Sequence, residues 1–295
     1  MKIKRSMGSI LADVFIYTFL GILTLTIVFP FYNMLILSVA NYEHATADGI
    51  YLIPQSFTLQ NYRHILSDDQ MVRAILISTR NVVAGTSMSM VITVFAAYVL
   101  SRRNVPGRRG MFYFVIFTMY FSGGLIPWYM VLRDMGFVNN IWVMTVPGIL
   151  SAFNMILIRN FFFSLPDSLE EAAKIDGAGE FVIMTRIIVP LSAPIMATVA
   201  LFYAVGFWNE WWNAMLFIHD VRLTPLALLL RRLIIENSLG FGDPMGFAAR
   251  LSVQRLNSRS LELAAVTVAT LPIMCVYPFL QKHFTKGIML GAIKA

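Results

Sequence analysis

The chain is 295 residues long, 58% hydrophobic and 13% charged, against about 25% charged in an ordinary soluble domain. Its net charge of +7 comes from Lys and Arg spread between apolar runs, without the patch of interleaved aromatics that a nucleic-acid binder needs, so no nucleic-acid partner is expected. The single cysteine, Cys275, excludes an intrachain disulfide, suggests no metal cluster, and reads as a small buried hydrophobe inside an apolar run.

Apolar runs longer than about 18 residues recur, so the expected fold is an all-α polytopic membrane protein, one transmembrane domain over residues 1–295. Six spans are predicted, at 14–37, 75–100, 111–132, 138–158, 191–217 and 262–280. The basic opening before the first run resembles the start of a signal peptide. That run exceeds the ~7–15 residues of a signal core, and it reads as a retained span. Residues 41–73 form a first outer loop. Gly123, Gly124 and Pro127 in the third span predict a kink or local unwinding; the fourth holds Pro147, Gly148 and Asn154. Six crossings put both termini on one side. Lys2, Lys4 and Arg5, the Arg102–Arg109 turn, Arg159, Lys174, Arg186 and the basic tail favour the cytoplasm for that side, against an Arg-rich last outer loop.

The stretch 165–190, inside an expected cytoplasmic loop 159–190, is the longest polar interruption in the second half. Asp167 followed by Glu170 has the spacing of a capping box, and Pro166 suits a first turn. Leu169, Ala172, Ala173 and Asp176 share one helical face, mostly of small residues, which lets a partner come close. Gly177 and Gly179 break that helix; Phe181, Met184 and Ile188 restart an apolar stripe that ends at Pro190.

In the fifth span Gly206, Asn209, Asn213 and Phe217 fall on one helical face with Glu210 beside it. Amides converging there, with Tyr203 and Trp208 from the same span and Asn154 from the fourth, are candidates for a substrate path, because sugar hydroxyls need hydrogen-bond partners and aromatic faces. The same tryptophans also fit an interfacial belt, and Asn209 fits a helix-packing bond. In the outer loop 220–261, Arg231, Arg232, Arg250 and Arg255 belong to an excess of arginine that suits an acidic sugar such as a uronate oligomer, or equally lipid head groups and partner subunits. There is no GxxxxGK[ST], HExxH or GxSxG, and Gly240, Gly242 and Gly246 lie in a flexible loop. No catalytic residue, metal or cofactor is therefore assigned to the chain, and it is not read as an enzyme.

Glu171-Ala172-Ala173, then Gly177, Ile187 and Pro190, resemble the EAA loop of bacterial ABC-importer permeases, the cytoplasmic segment that couples them to their ATPase subunits. Val189 stands where that family usually has Leu, a change between similar apolar side chains. The run Ala173–Ala178, the Leu52-Ile53-Pro54 and Phe57–Tyr62 stretches, Asn104–Arg109, and the tail 281–295 with Lys286-Gly287 and Gly291–Lys294 resemble the carbohydrate-uptake branch. The resemblance implies a type I importer permease in a bacterial inner membrane, paired with a second permease. Two ATPase subunits would hold ATP and Mg, and a binding protein would deliver an oligosaccharide; in maltose-type members a loop in the position of 220–261 reaches into that protein. It also implies that Glu170, Glu171, Ala172, Ala173, Asp176, Gly177 and Pro190, with Lys286 and Gly287, couple to the ATPases. The reading beside it is a channel or scaffold that binds a cytosolic partner through residues 165–190.

Overall fold

The computed structural model describes residues 7–40, 53, 57–239 and 260–275. Arg250 and Arg255, the glycine stretch at 240–246, residues 276–280 of the sixth span, and the tail with Lys286 and Gly287 lie outside the described residues. Among the described residues every regular element is a helix. The chain divides into two units, Met1–Asp68 with Leu233–Val268 and Asp69–Arg232 with Ala269–Ala295.

In the first unit, helix α1 (Met7–Ser38) is apolar on all sides, and none of its hydrophobic stretch is buried within the chain. At about 1.5 Å per residue it exceeds the ~30 Å of a bilayer core, so the expected first span is there in full. Its foot is anchored by the short helix α2 (Gln60–Ser67). Asn61, itself buried, donates its amide to the Ser38 carbonyl at 3.0 Å, and the Ser38 hydroxyl meets the Tyr62 hydroxyl at 2.6 Å.

The second unit is built on helix α3 (Asp69–Ser101). Its buried positions include Ala74, Ser78, Asn81, Gly85, Ser89, Thr93 and Ala97, a stripe of small and polar residues at three- and four-residue spacing. Such a stripe lets helices approach closely where the hydrophobic effect supplies no drive between them. Helices α6 (Ala152–Ser164) and α10 (Ala193–Trp208) pack on it. A Cβ at Gly85 would lie 2.7 Å from the Phe207 ring. Tyr203 of α10 is buried and ties three elements: its hydroxyl meets the Thr93 hydroxyl at 2.7 Å and accepts the Ser151 backbone N–H at 3.0 Å, at the N-cap of α6.

Three predicted spans are not single helices. The third is α4 (Arg108–Tyr120) and α5 (Leu125–Asp134), bent by 114° at a break where Gly124 takes φ +86°, so the expected kink or local unwinding is a full turn. The fourth begins as tight 3-10 turns at Ile141–Met144 and Val146–Gly148, the second holding Pro147, then bends by 43° into α6, which runs on to Ser164. The fifth breaks at Asn209–Trp211 before α11 (Trp212–Phe217). Helix α12 (Leu226–Leu239) follows, then α13 (Ser260–Cys275). Cys275, expected buried, is exposed at the end of α13, because apolar side chains of a membrane helix need not face their own core.

Candidate functional site

The 165–190 segment folds as two helical pieces around a glycine turn, as its pattern predicts, but with different local chemistry. Helix α7 (Asp167–Ile175) has Pro166 at its N-cap and no capping box: Asp167 is its first residue, and the Glu170 carboxylate turns away from the helix start to ion pairs. Its end is a Schellman turn, with Gly177 N–H on the Lys174 carbonyl at 3.0 Å and Ala178 N–H on Ala173 at 2.9 Å. Gly177 sits at φ +80°, which glycine alone adopts without strain. The chain resumes as α8 (Glu180–Ile183), loosens into a π-helical turn at Met184–Ile188, and closes with α9 (Val189–Leu191), which carries Pro190. The wider turn precedes a proline that has no N–H to offer the preceding turn. The buried stripe is Ile183, Met184 and Ile188; Phe181 is exposed and stacks on Phe95 instead.

Only one side of α7 meets the rest of the unit. Ala173 is buried in the core formed with Tyr98, Phe162 and Ile188, so it is not free for a partner. Glu171, Ala172, Asp176, Gly177 and Pro190 are exposed. The inner side carries a chain of charges: Arg102 pairs with Glu170, Glu170 with Lys174 at 2.7 Å, and Lys174 with Glu180 at 3.0 Å. The Tyr98 hydroxyl donates to the same Glu180 carboxylate at 2.6 Å, and the Arg102 guanidinium lies 4.4 Å from the Tyr98 ring centre. Tyr98 and Lys174 together hold the Glu180 carboxyl below the ordinary carboxylate range, against its partial burial. These groups line a cleft of about 540 Å³ between the Ser101 end of α3 and α7. The sequence pattern singled out Glu170 but neither its partner Arg102 nor the Tyr98–Glu180 bond, both of which join residues distant in the chain.

At the other end of α3 the fifth-span candidates do not share one face, because the helix breaks among them. Asn209 returns its amide to the Val205 carbonyl at 2.9 Å, closing α10. The Glu210 carboxylate accepts the Asn213 N–H at 2.8 Å and so caps α11. Asn213 accepts the Trp128 indole N–H at 3.2 Å, and the Trp208 indole donates to the Ala269 carbonyl at 3.1 Å. Tyr203 and Asn154 are buried in the unit's own packing. Asn209 and Gly206 are exposed. Arg231 lies 3.7 Å over the Trp211 ring and Arg80, which the sequence pattern passed over, 3.9 Å over Trp142. Among the described residues no group of acids and histidines could hold a metal.

Comparison with known proteins matches residues 75–290 to the model of binding-protein-dependent transport system inner membrane components. A polygalacturonan/rhamnogalacturonan transport system permease protein, YtcP of Bacillus subtilis (strain 168), is 41% identical over 96% of this chain and 98% of its own. Protein LplC of the same organism is 39% identical over 96% of this chain and 94% of its own. Among solved structures, a bacterial ABC transporter involved in the import of the acidic polysaccharide alginate superposes with a TM-score of 0.88 and 28% identity, over 96% of this chain and 100% of the other. With a helix framework, an EAA-like segment on the Ser101 end of α3, and a family match across most of its length, the chain belongs to the binding-protein-dependent transport system inner membrane components.

Proposed function

We propose that this chain is one of two permease subunits of an ATP-driven importer, and that its 165–190 segment docks an ATPase subunit. The observation that carries this is the two-sidedness of α7: its inner side is tied by ion pairs to α3, and its outer side presents Glu171, Ala172, Asp176 and Gly177. A knob held from behind passes a push from an ATPase to the helices that line the path. ATP and Mg belong to the partner subunits. Family membership sets aside the channel or scaffold alternative. The chain sits in the inner membrane with both termini in the cytoplasm, on the side of the 165–190 segment.

The cargo is an oligosaccharide delivered by a binding protein, and an acidic one. Relatives named for polygalacturonan and for alginate support this, as does the arginine excess of 220–261. Asn209 and Gly206, exposed on α10, flank the path, while Tyr203, Trp208, Glu210, Asn213 and Asn154 hold its wall in shape. The test is reconstitution. The purified chain should hydrolyse no ATP, and the assembly with ATPases, second permease and binding protein should show hydrolysis stimulated by an oligogalacturonate. Ala172→Arg, on the exposed side of α7, should lower that stimulation at least tenfold while the chain still inserts. Wild-type stimulation in Ala172→Arg would remove the docking role.

A further inference from the structure

An arginine within a membrane span is costly to place and marks a cavity or a partner. Arg80 stands inside the second predicted span, half-buried, with its guanidinium flat over Trp142. Its Nη1 donates to the Asn81 side-chain oxygen at 3.2 Å and to the Ile141 carbonyl at 3.5 Å. Among the described residues no carboxylate pairs with it, and no bond leaves Nε or Nη2, the edge that grips a carboxylate with two parallel hydrogen bonds. Arg231 repeats the arrangement over Trp211, which meets Trp212 edge-on at 5.4 Å. Both pairs border one apolar cluster of Val143, Met144, Ala214, Phe217 and Leu228, against which Ile77, Ile141 and Trp211 pack. Two other arginines at this end sit in ion pairs, Arg133 with Asp134 and Arg222 with Asp220, each at 2.8 Å. The selection is chemical. Two guanidinium groups are held rigid against an indole and keep their charge, beside exposed Trp142 and Trp212 rings.

Resting on the oligosaccharide-import reading, we propose that Arg80 and Arg231 are specificity-determining residues that take the carboxylates of a uronate oligomer, with the Trp142 and Trp212 faces against its sugar rings. A uronate repeat offers what this surface matches, an anion of fixed geometry beside an apolar ring face. The test uses the assembled importer in proteoliposomes with two probes that differ only in charge, trigalacturonate and its fully methyl-esterified form. Assembly is checked by co-purification of the subunits. Arg80→Gln and Arg231→Gln should each raise the KM for the acid about tenfold and for the ester less than threefold, and Arg80→Lys should lose less than Arg80→Gln. Equal losses for acid and ester, the result of a structural or lipid-phosphate contact, would overturn the proposal, as would unchanged values for both. If the wild type carries the acid alone, the proposal requires Arg80→Lys to keep at least a third of acid uptake where Arg80→Gln keeps a tenth; equal loss in the two overturns it. A wild type that carries the neutral ester and not the acid removes the proposal and leaves sugar import standing, whereas one that carries neither removes both.

Discussion

Arg102 and Glu170 are the contact on which the attachment of α7 depends, since each side chain is only about one-sixth exposed (15% and 17%) and the pair joins α7 to the end of α3. Arg102→Gln leaves Glu170 with Lys174 alone and removes a charge-assisted bond of about 1.5–3 kcal/mol. The expected result is a several-fold fall in substrate-stimulated ATPase activity of the assembled importer, with basal hydrolysis less affected because, on the docking proposal, the catalytic sites lie in the partner subunits. The exchange Arg102→Glu with Glu170→Arg should recover part of the loss. No recovery, with each single variant as active as wild type, would show that the pair is not in the coupling route. Gly177 works through the backbone: no heavy atom lies within 4 Å of a Cβ built there, so Gly177→Ala meets no clash but takes up a left-handed conformation costing about 1–2 kcal/mol. That strain should open the turn locally and speed trypsin cleavage after Lys174 by roughly fivefold or more, with Gly177→Asn less affected than Gly177→Ala. Equal cleavage rates in all three would show that the left-handed turn is not what keeps α7 closed.

At the scale of elements, the packing of α3 against α10 depends on Gly85, whose missing side chain is filled by the Phe207 ring. Gly85→Leu should drive the helices apart and lower the melting temperature of the purified chain, by an overpacking cost of about 1–3 kcal/mol, and Phe207→Ala in the same chain should recover part of it. A double variant no more stable than Gly85→Leu alone would break the argument. The small-residue stripe that creates this contact was in the sequence, but apolarity alone does not reveal which face of a long span packs, because lipid and protein accept the same side chains. The apolar helices and the two-part 165–190 segment were legible from run length and from Gly177, though among the described residues only α1 and α3 are long enough to span alone. The interruption at Phe121–Gly124 was legible from Gly123, Gly124 and Pro127, though not its 114° bend; the break at Asn209–Trp211 was not, since that stretch keeps the composition of a span while its backbone bonds end. For the same reason Asn209, Glu210 and Asn213 passed as one helical face; Asn209 and Glu210 instead satisfy backbone groups on either side of the break, and the Asn213 side chain accepts from Trp128. Pairs such as Tyr98 with Glu180 are invisible to pattern, since only the fold brings residues so far apart in sequence together.

For the whole molecule the proposed direction rests on charge near short turns. The turn between α3 and α4 carries Arg102, Arg103, Arg108 and Arg109, and the 165–190 segment that joins it through Arg102 adds Lys174 and Arg186. Lys and Arg in short loops near the spans set orientation, and carboxylates contribute little, so the paired Glu170 and Asp167 do not cancel the bias. The early loops of the opposite side carry fewer: Arg63 and Arg73 in residues 41–73, and Arg133 after α5. The expected outcome places the Ser101 end of α3 in the cytoplasm. With Cys275 replaced by serine, single cysteines at Arg109 and at Arg133 report it. A membrane-impermeant maleimide added to intact spheroplasts should label position 133 and should reach position 109 only after permeabilisation. The reverse pattern would put the 165–190 segment outside, away from ATP, and would end the docking reading together with the orientation.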